Sequence, residues 1–382
     1  AVSVESISMR GNICKILWYD EEKSMFLPIS LKRTDDGLLS WLRSRSIPKN
    51  RGNIEAILAS LSLSEHDLIG ILNICMGLSL NDCYWVVSDG FEGTFAEYNL
   101  YDNDFSKTMS LIAYTGYGSM KKKGFTSSPE FTTNGMLRKG WRRLDGKTLL
   151  YKGGTEGASN AGNEPYSEFY ASQIADVMDI DHVTYTLSKW KKSLCSVCEL
   201  FTGKDRSFVP MGYFGNFRNI LELSDYLKSL GSQYSDAFVD MMIFDAVIYN
   251  TDRHYGNFGL LVDSKTNQPV AMAPVFDNGL GLFPYAVQAD LDTISVYAKT
   301  RASAFDVSFD DIVKEFITDR QREGLRKLLN FDFIRDKNYN LPAERLKILS
   351  KFIRSRAGEE THDVAEEAFL AQLQEEIRTK AR

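Results

Sequence analysis

The chain has 382 residues, of which 43% are hydrophobic and 25% charged, a balance typical of a globular protein with a sizeable core. Its net charge of −6 argues against a protein that mainly coats nucleic acid or anionic membrane. No window approaches the roughly 18 apolar residues of a membrane helix, and the start "AVSVESISMRGN" does not resemble a signal peptide. Five cysteines, an odd number, favour a reducing compartment. We therefore expect a cytoplasmic protein without membrane association or direct nucleic-acid binding.

Residues 1–112 predict a small mixed α/β accessory domain that serves a structural or interaction role. "GNICKILWYD" and "CYWVV" are typical of strands, and "NIEAILASLSLS" has helical spacing and leads into "EHDLIGILNICMG". We thus expect short strands around one helical stretch. "LYDNDFSKTMS" is predicted to be the loop that leaves this domain.

Residues 113–210 predict a small lobe rich in β-strands. "GMLRKGWRRLDGKTLLYKGG" predicts two strands joined by an Asp145-Gly146 turn. A glycine-rich stretch follows, and then a helix for which Asn163 is a plausible N-cap and Pro165 lies in the first turn. "HVTYTL" and "SLCSVCELF" predict two more strands. This order, strand-strand-helix-strand-strand, is typical of the N-terminal lobe of a kinase.

Cys195 and Cys198 form a CxxC pair, which could bind zinc or undergo redox cycling. The surrounding segment predicts a strand, on which residues three apart point to opposite faces. No second CxxC or histidine pair completes a four-ligand site. We therefore interpret both cysteines as packing residues.

Residues 211–382 predict a mainly helical lobe. Apolar residues recur at helical spacing in "SDYLKSLG", "SDAFVDMMIFDAVIYN", "FDDIVKEFI", "REGLRKLLN" and "LPAERLKILSKFIRSRA". The last residues, "THDVAEEAFLAQLQEEIRTKAR", predict a charged terminal helix. The helices surround one interruption, which begins with "NTDRHYGNFG" at residues 250–259.

This interruption has the spacing of a kinase catalytic loop. Asp252 and Asn257 are five residues apart, so that a carboxylate can meet the attacking hydroxyl while a carboxamide oxygen holds magnesium. "FGLLVD" and "VAMAPVFD" then predict two strands, the second of which delivers Asp277 in the metal-binding segment 276–281. Asn278 stands where the kinase D-F-G motif has phenylalanine.

An isolated Asp-to-Asn spacing is common by chance, because both residues usually cap helices or form turns. The helix before the loop, the predicted hairpin after it and the lobe upstream favour the catalytic interpretation. Within the loop, His254 could donate a hydrogen bond to the transferring phosphoryl group or could order the loop. Arg253 is expected to brace the loop, and Asn250 to be structural.

An ATP site also needs a lysine on a strand and a carboxylate on a helix to anchor it. Lys152 ends the strand "KTLLYK". Glu164 and Glu168 lie on one helical face, and Glu168 is preferred because Glu164 is at the start of the helix.

Two segments could cover the phosphates. "GYGSMK" resembles part of a glycine-rich loop but precedes Lys152 by over thirty residues. "TTNGMLRK" is closer, and we prefer it, with Asn134 and Gly135 as candidate contacts. Hydroxyls in this region could replace scarce glycines as phosphate donors: Ser127, Ser128, Thr132 and Thr133.

The end of the last strand of this lobe, "CELFTG", is where a kinase hinge would meet adenine, so Glu199 and Phe201 are candidate neighbours. Several basic residues form runs along the chain: Lys121, Lys122, Lys123, Arg138, Lys139, Arg142 and Arg143. We interpret them as solvated surface, with Arg138 or Lys139 as a possible phosphate contact, rather than as a nucleic-acid site.

These motifs resemble the HipA-type kinases, which are bacterial serine/threonine kinases. "NTDRHYGNFG" with "APVFDNG" is similar to their catalytic segments, "SPEFTTNGMLRK" to their phosphate-binding loop and "KTLLYK" to their ATP-lysine strand. The Asp-Arg-His form is also similar to that of phosphatidylinositol-3-kinase-like enzymes, to which the HipA fold is related. The resemblance covers residues 125–350.

The resemblance implies an α+β, bilobal protein-kinase-like fold with a small β-rich lobe and a mainly helical lobe. It implies ATP and Mg²⁺ as cofactors and a serine or threonine of a protein as acceptor. By this reading Asp252 is the base, Asn257 and Asp277 bind metal, and Lys152 holds phosphate.

Some members of the family are toxins restrained by a DNA-binding antitoxin, and others autophosphorylate a serine of the phosphate-binding loop. Ser127 and Ser128 are the corresponding candidates here. The front segment does not match the small N-terminal domain of the toxin. Two alternatives to a protein kinase are a lipid or small-molecule kinase and an inactive pseudokinase scaffold.

Overall fold

A computed structural model of the chain describes residues 5–10, 13–49, 51–118, 128–158 and 160–361. The chain divides into two compact units, each assembled from several stretches of sequence. Unit 1 comprises residues 1–165, 183–218 and 254–276, and unit 2 comprises residues 166–182, 219–253 and 277–382. The division into three sequential domains stays a prediction.

The first part of unit 1 is mainly helical. The hairpin β1 (Glu5–Arg10) and β2 (Ile13–Tyr19) precedes five helices: α1 (Asp35–Ser44), α2 (Ile54–Ala59), α3 (Leu68–Cys75), α4 (Phe95–Tyr98) and α5 (Lys107–Thr115). Helix α1 begins where the Thr34 side chain accepts a hydrogen bond from the Gly37 amide. Buried side chains of these helices form one core cluster: Leu38, Leu42, Ile57, Ile71, Leu72, Met109 and Ile112 among them.

Three predictions for this part were wrong. It contains several helices rather than one helical stretch, and the predicted loop "LYDNDFSKTMS" includes the start of α5, which Ser106 caps. "CYWVV" forms no strand, because Trp85 instead packs edge-on against Phe91 and Phe95. β-propensity decides little where no partner strand is at hand.

The second part of unit 1 is a four-stranded antiparallel sheet in the order β3-β4-β6-β5. Its strands are β3 (Lys139–Leu144), β4 (Lys147–Gly153), β5 (Tyr185–Trp190) and β6 (Ser193–Glu199). The predicted Asp145-Gly146 turn is confirmed, with φ of 50° and 78°, the left-handed values that a tight hairpin requires.

The CxxC cysteines lie on β6, and both are buried and free of disulfides. The Cys195 thiol donates to the Ser188 carbonyl at 3.3 Å, and burial raises its pKa. Within the described residues, no group of three or more His, Cys, Asp or Glu side chains could hold a metal ion. Both side chains belong to clusters of buried apolar residues, which supports their interpretation as packing residues.

A three-stranded antiparallel sheet, β7-β8-β9, completes unit 1. It comprises β7 (Arg206–Pro210), β8 (Gly259–Asp263) and β9 (Pro269–Met272). The hairpin after the catalytic loop is confirmed, but its second strand does not run to Asp277 as expected. It ends at Met272, and beyond it the Val275 carbonyl accepts from the Val183 amide at 2.9 Å.

Unit 2 is helical. Its helices are α6 (Glu164–Val177, whose first two residues fall in unit 1), α7 (Ile220–Leu230), α8 (Ser232–Ile248), α9 (Gln288–Asp292), α10 (Ile294–Ala298), α11 (Phe309–Phe316), α12 (Asp319–Lys327) and α13 (Ala343–Thr361). The segments predicted to be helical beyond residue 220 are confirmed, and the predicted terminal helix lies outside the described residues from 362 onward. None of the helices in the described part is long and apolar enough to cross a membrane.

Candidate active site

The catalytic loop begins where α8 ends. Tyr249 ends the helix in the left-handed conformation, with φ of 54°. The next residue, Asn250, is fully buried, and its Nδ2 donates to Asp245 Oδ1 at 3.1 Å. Its Oδ1 accepts from the Asp252 amide at 3.3 Å. Asn250 is structural, as predicted, and it fixes the main chain of the half-buried Asp252 to the end of α8.

Arg253 is buried to 1% exposure and braces the loop, as predicted. Its Nε donates to Asp245 Oδ2 at 2.8 Å and its Nη2 to Asp245 Oδ1 at 2.9 Å. Nη2 also donates to Asn278 Oδ1 at 2.6 Å. Burial acts to lower the pKa of Arg253, but the Asp245 carboxylate, aided by Asp277 and Glu168, holds that pKa above its ordinary value. The guanidinium is therefore a fixed positive charge.

The segment with Asp277 belongs to the same unit. Asp277 is half-buried and has φ of 57°, a left-handed conformation that is uncommon outside glycine. The Asn278 amide donates to Glu168 Oε2 at 2.9 Å, and the Leu282 amide donates to the Ile248 carbonyl at 2.7 Å. Unit 2 thus brings together Glu168 of α6, Arg253 of the loop and the main chain after Asp277.

Glu168 contacts segment 276–281, a contact that the sequence did not indicate. Its predicted role as anchor of Lys152 stays a prediction. The alternative, Glu164, is buried and accepts from the Thr155 amide at 3.2 Å. Glu164 therefore serves to hold the glycine-rich segment against the start of α6.

His254 and Asn257 fall in unit 1. The exposed His254 ring accepts from the Gly256 amide through Nδ1 at 3.0 Å. A neutral imidazole that accepts at Nδ1 carries its proton on Nε2, so Nε2–H can donate outward. Asn257 is 9% exposed, and its amide donates to the His254 carbonyl at 2.8 Å.

Lys152 lies on β4 and is 5% exposed, paired in register with Ser196 of β6 and Lys139 of β3. Its Nζ lies 5.8 Å from the centroid of the Tyr185 ring. Lysines are rarely so buried without a specific role or partner. Lys152 lies on a central strand of the sheet, and its phosphate-holding role stays a prediction.

Local hydrogen bonds hold the segment that we predicted to cover the phosphates. The Asn134 carbonyl accepts from Lys139 Nζ at 2.9 Å, and Asn134 Oδ1 accepts from the Gly135 amide at 2.8 Å. Gly135 has φ of 100°, and a Cβ there would lie 2.2 Å from Lys139 Nζ. The positive φ favours glycine at this position, whereas the flexible end of the Lys139 side chain could move away from a Cβ. Ser127 lies outside the described residues, and Ser128 is fully buried.

A buried ion pair, which sequence reasoning missed, holds this segment. Glu130 and Arg51 are 0% and 2% exposed, and Arg51 Nη2 donates to Glu130 Oε2 and to the Lys139 carbonyl, both at 2.8 Å. Glu130 Oε1 accepts from the Trp141 amide at 2.7 Å. The pair ties the first part of unit 1 to the segment before β3.

The remaining predicted residues of unit 1 lie at the end of β6 and near it. The exposed Glu199 carboxylate pairs with Lys147 at 2.6 Å. Phe201 packs against Phe208 and Phe276, with ring centroids 5.7 and 5.4 Å apart. Their proposed closeness to adenine stays a prediction.

Two basic residues considered above are engaged within the fold. The Arg142 guanidinium stacks over the rings of Tyr151 and Trp190, at 4.8 and 5.1 Å. Arg143 donates to main-chain carbonyls of residues 100–103. Lys121, Lys122 and Lys123 lie outside the described residues.

Comparison with known proteins relates the chain to protein kinases. No family model matches the sequence. A curated serine/threonine-protein kinase of Helicobacter pylori, CtkA, is 28% identical over 138 residues, which cover 32% of this chain and 42% of the length of CtkA. The chain thus matches less than half of that relative.

Solved structures extend the comparison to most of the chain. HipA of Shewanella oneidensis MR-1, solved with HipB and operator DNA, matches with a TM-score of 0.51 at 10% identity, covering 93% of this chain and 95% of HipA. The chain has the HipA-type kinase fold. The crystal structure of Helicobacter pylori CtkA, a proinflammatory kinase, matches with a TM-score of 0.43 at 17% identity over 58% of this chain and 89% of CtkA. The predicted α+β fold class and the resemblance to the HipA-type kinases are confirmed.

Proposed function

We propose that the chain is an ATP- and Mg²⁺-dependent serine/threonine protein kinase of the HipA-like type that acts in the cytoplasm. The observation that best supports the proposal is the buried network of unit 2. In that network, the residues that directly follow Asp252 and Asp277 are hydrogen-bonded to each other. Two carboxylates on main chain held in this way suit phosphoryl transfer, which depends on positioning and charge.

Each polar group has a distinct role in this proposal. Asp252 accepts the proton of the substrate hydroxyl, and Lys152 holds phosphate oxygens with its ammonium group. His254 donates from Nε2 to the transferring phosphoryl group, because its Nδ1 is already occupied by the Gly256 amide. Asn134 and Gly135 lie over the phosphates, and main-chain groups near Glu199 and Phe201 meet adenine.

The donor set fits magnesium. Asn257 and Asp277 offer a carboxamide and a carboxylate oxygen, and Mg²⁺ prefers a few oxygen ligands beside phosphate and water. These two residues would hold the ion, and the Asp277 carboxylate would supply the negative charge, because the Asn257 carboxamide is neutral. When bound, Mg²⁺ neutralises charge on the phosphates of ATP.

The test is phosphate transfer from γ-³²P-labelled ATP with Mg²⁺, with wild type beside Asp252→Ala and Asp277→Ala. Label on wild type or on an added protein acceptor, and its loss in both variants, is expected. Equal label with all three proteins would refute the assigned roles. Nucleotide binding without any transfer would favour the pseudokinase scaffold, and label on lipid alone the lipid kinase.

The proposal includes an antitoxin-like regulatory protein as a partner, because the matched HipA was solved together with HipB. Autophosphorylation at Ser127 or Ser128 also belongs to it. Because Ser128 is fully buried and its Oγ has no hydrogen-bond partner among the described residues, its modification requires the segment to move outward. Mass spectrometry of the protein after incubation with ATP tests which serine carries phosphate.

A further inference from the structure

Asn278 occupies the place where a D-F-G motif has phenylalanine, and its side chain accepts a hydrogen bond that phenylalanine could not accept. Its side chain is fully buried, and its Oδ1 accepts from Arg253 Nη2 at 2.6 Å. Its amide donates to Glu168 Oε2 at 2.9 Å. An aromatic ring could fill the volume, but it offers no acceptor to a buried guanidinium.

The guanidinium is itself held by Asp245, the one acidic residue in the apolar run "MMIFDAVI" of α8. Asp245 is 2% exposed and accepts twice from Arg253, at 2.8 and 2.9 Å. A charge-assisted pair with two parallel hydrogen bonds fixes direction as well as distance. Arg253 therefore reaches Asn278 from a rigid base on the helix.

We propose that Asp245, Arg253 and Asn278 are positioning residues that hold the main chain at Asp252 in register with the main chain at Asp277. Arg253 directly follows Asp252, and Asn278 directly follows Asp277. One side-chain hydrogen bond thus links the peptide neighbours of the proposed base and the proposed metal ligand. This inference rests on the proposed function and goes beyond it, because that proposal assigns no role to these three residues.

The backbone of Asp277 adds a reason for such a device. A left-handed φ of 57° costs energy in a residue with a Cβ and persists only where the surroundings enforce it. Glu168 holds the amide of Asn278, and Arg253 holds its side chain. Loss of the Arg253 contact removes one of these two hydrogen bonds, directly beside the strained Asp277.

The test compares Asn278→Leu, which keeps approximate volume but removes the acceptor, with Asn278→Asp, which keeps it. The Asn278 Nδ2 atom is buried and has no partner among the residues that the structure describes, so the aspartate loses no described hydrogen bond of the amide. A third variant, Asp245→Leu with Arg253→Met, replaces the buried pair by apolar side chains, a change that often preserves stability.

Two readouts are measured for each variant. The first is Mg²⁺-dependent turnover of labelled ATP with casein as acceptor. We expect Asn278→Leu and the double variant to lower kcat about 100-fold, the scale of a small misplacement, with KM for ATP within about threefold. Asn278→Asp should stay within about tenfold of wild type. The second is amide hydrogen exchange of residues 276–282 without nucleotide. It should become faster in Asn278→Leu and in the double variant, but not in Asn278→Asp.

The possible outcomes distinguish a failure of the proposed function from a failure of the positioning role. If wild type is no more active than Asp252→Ala, the proposed function is refuted, and with it a positioning role in phosphoryl transfer. Active wild type with Asn278→Leu within about threefold of it overturns the positioning role alone. A loss of kcat without faster exchange at residues 276–282 does so as well. Circular dichroism of each variant verifies that the helices of unit 2 have formed.

Discussion

Removal of the Glu130 carboxylate is expected to destabilise unit 1 strongly. Glu130→Ala leaves the guanidinium of Arg51 buried with only the Lys139 carbonyl as acceptor and leaves the Trp141 amide unpaired. Breaking a buried ion pair from one side costs about 3–5 kcal/mol. We predict a loss of this size in the free energy of unfolding of unit 1 at about pH 7.

The reverse change should cost less. Arg51 Nε and Nη1 are buried and have no hydrogen-bond partner in the part of the chain that the structure describes, so Arg51→Met removes two unsatisfied donors. The carboxyl that remains can take up a proton, because burial raises the pKa of Glu130 to about 7. We expect a loss of about 1–3 kcal/mol for Arg51→Met. The double variant with Glu130→Leu should lose a similar amount, since it leaves no buried charge behind.

Urea unfolding followed by tryptophan fluorescence measures these losses. All tryptophans of the chain belong to unit 1: Trp18, Trp41, Trp85, Trp141 and Trp190. Their emission therefore reports the transition of the unit that contains the ion pair, even when unit 2 unfolds separately.

If Glu130→Ala lowers the free energy of unfolding by less than about 1 kcal/mol, the two side chains do not form a strongly coupled buried pair. The same conclusion would follow if the double variant lost the sum of the two single losses. Contacting residues should instead deviate from additivity.

Three further predictions follow from single residues. Lys152→Met should raise KM for ATP about tenfold or more in steady-state kinetics, whereas Lys147→Met, at an exposed position of the same strand, should leave it unchanged. His254→Phe should lower kcat by about 10–100-fold through loss of the Nε2–H donor, and His254→Gln, which retains a donor, by less. For pH dependence, burial raises the pKa of Glu130 from 4.5 to about 7. The part of the stability that depends on protonation of Glu130, as distinct from its ion pair with Arg51, is complete below about pH 4.5 and is lost as the pH rises through about 7. Wild type should therefore lose more stability than Glu130→Gln between about pH 5 and pH 8 in urea titrations.

Local chemistry made part of the fold predictable. The Asp145-Gly146 hairpin was visible because both residues accept positive φ readily, whereas the Lys191-Lys192 turn between β5 and β6 reaches φ of 51° and 68° with residues that give no such signal. Helix α1 was missed, although Thr34 followed by acidic residues is a start signal.

The candidate site also contains residues that the sequence could indicate and residues that it could not. Asp252, Asn257 and Asp277 could be proposed from sequence because their spacing along the chain carries the pattern. Arg51 and Glu130 lie 79 residues apart, and only the folded chain brings them together. Asp245 was detectable in principle, since a carboxylate within an apolar helical run needs a buried partner. Sequence alone could not say that the partner is Arg253.

The division into units also constrains how the protein is made. The chain passes from one unit to the other after residues 165, 182, 218, 253 and 276, so neither unit is a continuous segment. On the ribosome, the three-stranded sheet of unit 1 cannot close until β9 has emerged, and unit 2 waits for α13. A nascent chain that stalls before residue 277 lacks most of unit 2 and a proposed metal ligand. A product truncated there is therefore expected to be inactive in the proposed reaction.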